Sequence, residues 1–178
     1  MRSLVCILVA LGGCARVPHD ATYEHSGVVL RSQHLALPWL PLGEESNGRW
    51  CFSRVPFTSG EPWVALEVQL PEAPDRALLG AAVSVDIEDS KGRPAYSYSG
   101  PLLEGEQPTP RCQAGWFATG GQSLVQEVKV PVVRFLGCGD TRAHISPLKT
   151  YCAAIRVNGV DEKSNGAQIR VTLDATWK

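Results

Sequence analysis

The chain has 178 residues, 44% of them hydrophobic, with 17 basic against 18 acidic side chains and a formal net charge of −1. A length of that order suits one domain able to bury a sizeable core unaided. The near-neutral balance leaves no basic field to draw in DNA or RNA, so nucleic-acid binding is excluded as an expected function.

The first fourteen residues read as an export leader. Arg2 gives a short cationic start, Leu4–Leu11 is an almost unbroken apolar run, and Gly12, Gly13 and Cys14 follow. The run is too short to span a bilayer and has the order of a secretory signal peptide. Its end, Leu11-Gly12-Gly13-Cys14, resembles the lipobox of bacterial lipoproteins. That resemblance implies removal of residues 1–13, acylation of Cys14 and membrane attachment through N-terminal acyl chains. Ala15 follows where an inner-membrane retention signal would carry aspartate; by resemblance to the sorting rule of enteric bacteria, this implies the outer membrane. No later stretch has the apolar length of a membrane-spanning helix, so the anchor is the only membrane contact expected.

Four further cysteines, Cys51, Cys112, Cys138 and Cys152, agree with export into an oxidising compartment and suggest two disulfides. Three pairings are open, and sequence does not choose among them. The nearer pair, Cys138 and Cys152, would close a local loop and leave Cys51 with Cys112. No two of these cysteines have the C-x₂₋₄-C spacing of structural zinc, and a redox C-x-x-C is absent.

Residues 14–27 are polar and mixed in composition, as in a flexible tether. His19, Asp20, Glu24 and His25 lie there, and a solvated tether is favoured over a metal site. The folded domain is expected over 28–178. It opens with a strand in Val28–Leu37 and runs into Leu37-Pro38-Trp39-Leu40-Pro41-Leu42, which two prolines bar from a helix or a central strand. This apolar loop either closes an open end of the core or offers Trp39, Leu40 and Leu42 to a partner. The first account is favoured.

After a turn over Glu44–Gly48, Trp50–Val55 is a short strand. Val64, Leu66, Val68 and Leu70 then alternate with Ala65, Glu67 and Gln69, and Val83, Val85 and Ile87 with Ser84, Asp86 and Glu88. That period of two is the mark of a strand with one buried face. Glu72–Leu79 has room for a helical turn, Ser90-Lys91-Gly92-Arg93 is a turn, and Tyr96 and Tyr98 share a face. Gly100–Gly121, rich in glycine and proline, reads as a long loop carrying Cys112 and Trp116. In Val125–Leu136 the apolar parity switches beside Pro131, which predicts a bulge or an edge strand.

Residues 145–157 fit a helix started by Ser146 and Pro147, or a strand in which Tyr151, Ala153, Ile155 and Val157 alternate; we take the strand. Ile145-Ser146-Pro147-Leu148-Lys149-Thr150-Tyr151 resembles the corner before strand F of fibronectin-type and immunoglobulin-like sandwiches. The resemblance implies that the Tyr151 hydroxyl ties the corner. Thr150 adjoins Tyr151 instead of standing one residue away, so the match is partial. After the loop opened by Asn158-Gly159, Ile169, Val171, Leu173 and Ala175 alternate with Arg170, Thr172, Asp174 and Thr176 as a closing hairpin partner. The expected fold is a single all-β antiparallel sandwich of about seven or eight strands.

Catalytic signatures are few. There is no G-x-S-x-G elbow and no phosphate loop. His144 sits four residues after Asp140, and a His–Asp couple can orient a base, but decoration of a polar turn is the favoured account. The reading is a non-enzyme with no metal or cofactor. Trp39 and Trp116 fall in expected loops, where aromatics anchor protein partners or stack on sugars. Function is therefore expected to be protein binding, as an immunity protein against an effector delivered to the periplasm or as an accessory subunit of an envelope or secretion assembly. The alternatives are a carbohydrate or ligand module built on Trp39, Trp116 or tyrosines and, after that, a hydrolase using His144 and Asp140.

Overall fold

A computed structural model describes residues 15–26, 32–57, 61–69, 81–101, 116–125, 128–137, 142–160 and 166–176, with the backbone alone for 101, 116–125, 128–137 and 176. The strands are β1 (Thr22–Ser26), β2 (Ser32–Ala36), β3 (Leu40–Pro41), β4 (Glu45–Ser53), β5 (Trp63–Gln69), β6 (Ala82–Asp89), β7 (Pro94–Pro101), β8 (Trp116–Val125), β9 (Val128–Gly137), β10 (Thr150–Asn158) and β11 (Gln168–Thr176). All pairings are antiparallel. One sheet runs β1-β2-β11-β5-β9-β8 with β3 also on β11, and the other runs β4-β10-β6-β7. The fold is an all-β sandwich, as the alternating runs require.

The alternation fixes which side of each strand faces inward. Val64, Leu66 and Val68 of β5 and Ile169, Val171 and Leu173 of β11 meet Val83, Val85 and Ile87 of β6 and Tyr151, Ala153, Ile155 and Val157 of β10 in one shared core. Each fully buried leucine, isoleucine or phenylalanine there contributes about 2 kcal/mol. The two edge strands of the smaller sheet leave a position open beside a glycine and fill it with a ring. A Cβ on Gly48 would meet the Trp50 ring, and one on Gly100 would lie 2.6 Å from the Tyr98 hydroxyl.

Several expectations need correction. The described residues hold eleven strands where about seven or eight were expected, because short and edge strands leave little sequence signal. Residues 15–26 do not behave as a tether: Arg16 and Ser53 exchange two backbone hydrogen bonds of 2.8 Å, and β1 pairs with β2 along its length. The expected turn over Glu44–Gly48 lies largely inside β4, where the Trp50 ring covers Gly48. Trp116 opens a strand paired with β9 instead of sitting in a loop. No bulge forms at Pro131, where the β8–β9 register is continuous. Pairing with β5 ends one residue away at Val132, so the missing N–H of Pro131 costs that ladder nothing. Finally, β11 does not form a hairpin with β10: the chain crosses to the other sheet, where β11 lies between β2 and β5.

The ambiguous segment at 145–157 is a strand from Thr150 onward. The Ser146 N–H donates to the Tyr151 hydroxyl at 2.8 Å. Ser90–Arg93 is the β6–β7 turn, with Gly92 at φ 74°, a conformation that favours glycine. In the adjoining bulge Ala95 is the extra residue, and its carbonyl accepts from the His144 N–H at 3.1 Å. Ala143 N–H in turn donates to the Pro62 carbonyl at 2.9 Å, so residues 142–146 strap one sheet to the other. Glu72–Leu79 lies outside the described residues.

Candidate functional site

The outward face of the larger sheet gathers the side chains that chemistry can use. Its centre follows from the register of β2, β11 and β5. One row places His34 beside Asp174 and Trp63, and the next places Ala36, Thr172 and Ala65 side by side. The third sets Arg170 beside Glu67. Alternation puts all of them opposite the core.

Each outer row is tied by charge. Arg170 donates from Nε (2.8 Å) and Nη2 (2.6 Å) to Glu67 Oε2, with both side chains largely buried. Its guanidinium stands 4.3 Å from the centre of the Trp39 ring. His34 Nδ1 and Asp174 Oδ1 are 2.6 Å apart. At the open end, the Arg142 guanidinium lies 4.9 Å from the Trp63 ring centre, while Glu61 approaches Arg142 at 3.5 Å and His144 at 3.3 Å. Trp63 is 45% exposed. The face thus carries two tryptophans, each with an arginine over its ring, separated by the row Ala36, Thr172 and Ala65, which is itself buried.

The predicted residues fare differently. Leu42 is buried in the core, its N–H donating to the Ala167 carbonyl at 2.9 Å. Leu40 is half-buried, with its backbone paired to Ile169. The 37–42 loop therefore closes the core, as the favoured account has it, and leaves Trp39 half-buried at the edge of the outer face. The proposed use of Leu42 as a docking residue is corrected by its burial.

Cysteine pairing is also corrected. Cys51 and Cys152 form a disulfide, which overturns both the Cys138–Cys152 and the Cys51–Cys112 pairings. The cause is register: these two residues are direct cross-strand partners on β4 and β10, with Cα atoms 4.0 Å apart, both pointing outward. Cys14, Cys112, Cys138 and Asp140 lie outside the described residues.

Beside this disulfide a shallow groove of about 300 Å³ runs between the N-terminal segment and β4, lined by Arg16, Pro18, Arg49, Trp50 and Thr150 among others. At the same end of the sheet, Asp89 accepts from the backbone N–H of Lys91 (2.9 Å) and Arg93 (3.1 Å) and from Arg93 Nε (2.8 Å). The Arg93 guanidinium holds this carboxyl well below the usual carboxylate range, against the opposing effect of burial. Burial pushes the Tyr23 phenol above its ordinary range, and the Gln33 amide bonded to it opposes that.

Among the described residues, the His–Asp couple held within the sheet is His34–Asp174; Asp140, the expected partner of His144, lies outside them. The hydroxyl beside it, Thr172 Oγ1, is fully buried and donates to Asp174 Oδ2 at 3.4 Å. A buried hydroxyl spent on the carboxylate is placed to brace the sheet, not to attack a substrate. Among the described residues no three His, Cys, Asp or Glu side chains gather as metal ligands.

Sequence reasoning did not single out Trp63, Arg142, Arg170, Glu67 or the His34–Asp174 couple. The outward parity of Glu67, Arg170 and Asp174 was visible in the alternation, but which strands stand side by side was not.

No family model matches the chain, and no curated protein matches it. One similar solved structure is described as "Structural basis for the promiscuous specificity of the carbohydrate-binding modules from the beta-sandwich super family", with 11% identity and a TM-score of 0.31. The match covers 95% of this chain and 58% of that one, so the chain spans little more than half its length.

Proposed function

We propose that this chain is an exported, lipid-anchored, non-catalytic lipoprotein of the bacterial outer membrane, facing the periplasm, that binds another protein on the outer face of its larger sheet. The observation that carries the binding site is Trp63, 45% exposed and stacked with Arg142, on the same face as Trp39 stacked with Arg170. Tryptophan and arginine are the residues on which protein interfaces concentrate binding energy. Glu61, 43% exposed beside Trp63 and Arg142, supplies a charged group at the rim that can fix register and partner choice. The arginine over each ring adds the charged contacts typical of a protein interface, which favours a protein partner over a carbohydrate. The leader ending at Cys14 supports the anchor. An immunity protein and a subunit of an envelope assembly both need a binder held where its partner arrives.

The test is a pull-down of the acylated chain from envelope extract, with Trp63→Ala and Trp39→Ala in parallel. A partner retained by the wild type and lost with Trp63→Ala supports the site; equal retention overturns it. In a companion titration with cell-wall fragments, tryptophan emission is expected to stay flat, and saturable quenching would move the assignment to carbohydrate binding. Cys14→Ser is expected to move the chain from the membrane fraction to the soluble one.

A further inference from the structure

We propose that the end of the sandwich from which the anchor leaves is itself a membrane-contact surface, with Leu148 entering the headgroup layer of an anionic bilayer and a ring of basic side chains meeting its phosphates. The inference rests on the lipid-anchored reading above.

Its first support is the shortness of the connection. Arg16 is held to Ser53 at the end of β4 by two backbone hydrogen bonds. Cys14 is two residues earlier in the chain, and two residues of backbone span at most about 7 Å. Acyl chains on Cys14 would therefore hold this end of the domain against the bilayer and leave no slack to stand away from it.

The second support is what stands at that end. Thr150 pairs with Ser53, which brings the turn before β10 beside Arg16. Leu148, on that turn, is 91% exposed, the most exposed of the large hydrophobic side chains described. The Ser90 N–H donates to the Thr150 carbonyl at 3.1 Å, so the β6–β7 turn is the next neighbour.

Charge supplies the third support. Arg16, Arg54, Lys91, Arg93 and Lys149 are all exposed on these adjoining segments, in a chain whose net charge is −1. Two carboxylates stand near them: Asp89 is buried under Arg93 with Lys149 Nζ 3.7 Å away, and Glu88, exposed on β6 opposite Cys152 and Pro94, leaves the five basic side chains in excess. The exposed Asp20, further along the N-terminal segment, is paired with His19 at 2.6 Å. A protruding leucine within a basic rim, next to an acyl anchor, is the chemistry that combines apolar insertion with attraction to anionic lipid. The outer face bearing Trp39 and Trp63 would then stand upright from the membrane.

The experiment uses the isotope-labelled, acylated chain in bicelles containing phosphatidylglycerol and a gadolinium-chelating lipid. Amide signals of Lys91, Gly92, Leu148 and Lys149 are expected to be broadened several-fold, while Glu44 and Gly159 at the opposite end stay sharp. The double variant Leu148→Asp/Lys149→Glu is expected to lose that contrast while still floating with lipid. Equal broadening at both ends, or a contrast unchanged in the variant, overturns the inference. Mass measurement and flotation of the wild type separate the two ideas. An unacylated chain that does not float overturns the anchor and this inference together, whereas an acylated, floating chain with sharp Leu148 and Lys149 signals overturns this inference alone.

Discussion

The Ser146 N–H donates to the Tyr151 hydroxyl across five residues of chain, and the Tyr151 ring stacks on Phe52 of the neighbouring strand with centroids 6.0 Å apart. One side chain therefore ties the entry to β10 and fills the core beneath it. Tyr151→Phe keeps the ring and removes the acceptor. It is expected to cost about 1 kcal/mol, seen in thermal unfolding as a drop in Tm of roughly 3 °C for a domain of this size. An unchanged Tm would mean that water replaces the hydroxyl at no cost.

The Cys51–Cys152 bond closes a loop between residues 101 apart in sequence. Cross-linking so long a loop restricts the unfolded chain strongly, so the double variant Cys51→Ser/Cys152→Ser is expected to lose about 4 kcal/mol. Urea unfolding under oxidising conditions measures it. A midpoint equal to that of the wild type would overturn this expectation.

Arg170 serves two neighbours, the Glu67 carboxylate and the Trp39 ring. Arg170→Met takes two charge-assisted hydrogen bonds from a largely buried carboxylate and is expected to cost about 2 kcal/mol. Arg170→Met/Glu67→Leu removes both charges and should recover most of that loss. If the double variant is as unstable as the single one, the arginine acts mainly through its packing on Trp39.

Asp89 sets a pH dependence with a definite sign. Its folded-state carboxyl titrates below the unfolded value of about 4, so the unfolded chain takes up a proton first as pH falls. The stabilisation is fully present above about pH 4 and is lost as pH drops toward the folded value. Asp89→Asn should therefore lower stability at neutral pH and flatten the acid limb of a urea-midpoint profile. Acid limbs of equal slope would show that other carboxylates carry it.

The period-two runs Val64–Val68, Val83–Ile87, Tyr151–Val157 and Ile169–Ala175 were enough to identify a sandwich, because side-chain alternation is a local property of an extended backbone. The same runs marked Glu67, Arg170 and Asp174 as outward-facing. What remained illegible was every relationship between strands. Cys51 meets Cys152, His34 meets Asp174 and Arg170 meets Glu67 only because β4 lies beside β10 and β11 lies between β2 and β5. Pairing and register come from burying two sheet faces against each other, an interaction between residues up to 140 positions apart, and no local pattern encodes it. The sequence by itself determined the class of fold and the inward and outward side of the main strands, and it carries the lipobox-like segment on which the proposed anchor rests. The tertiary structure alone decided which outward side chains stand together, and with them the tryptophan–arginine face and the basic, leucine-tipped end beside Arg16.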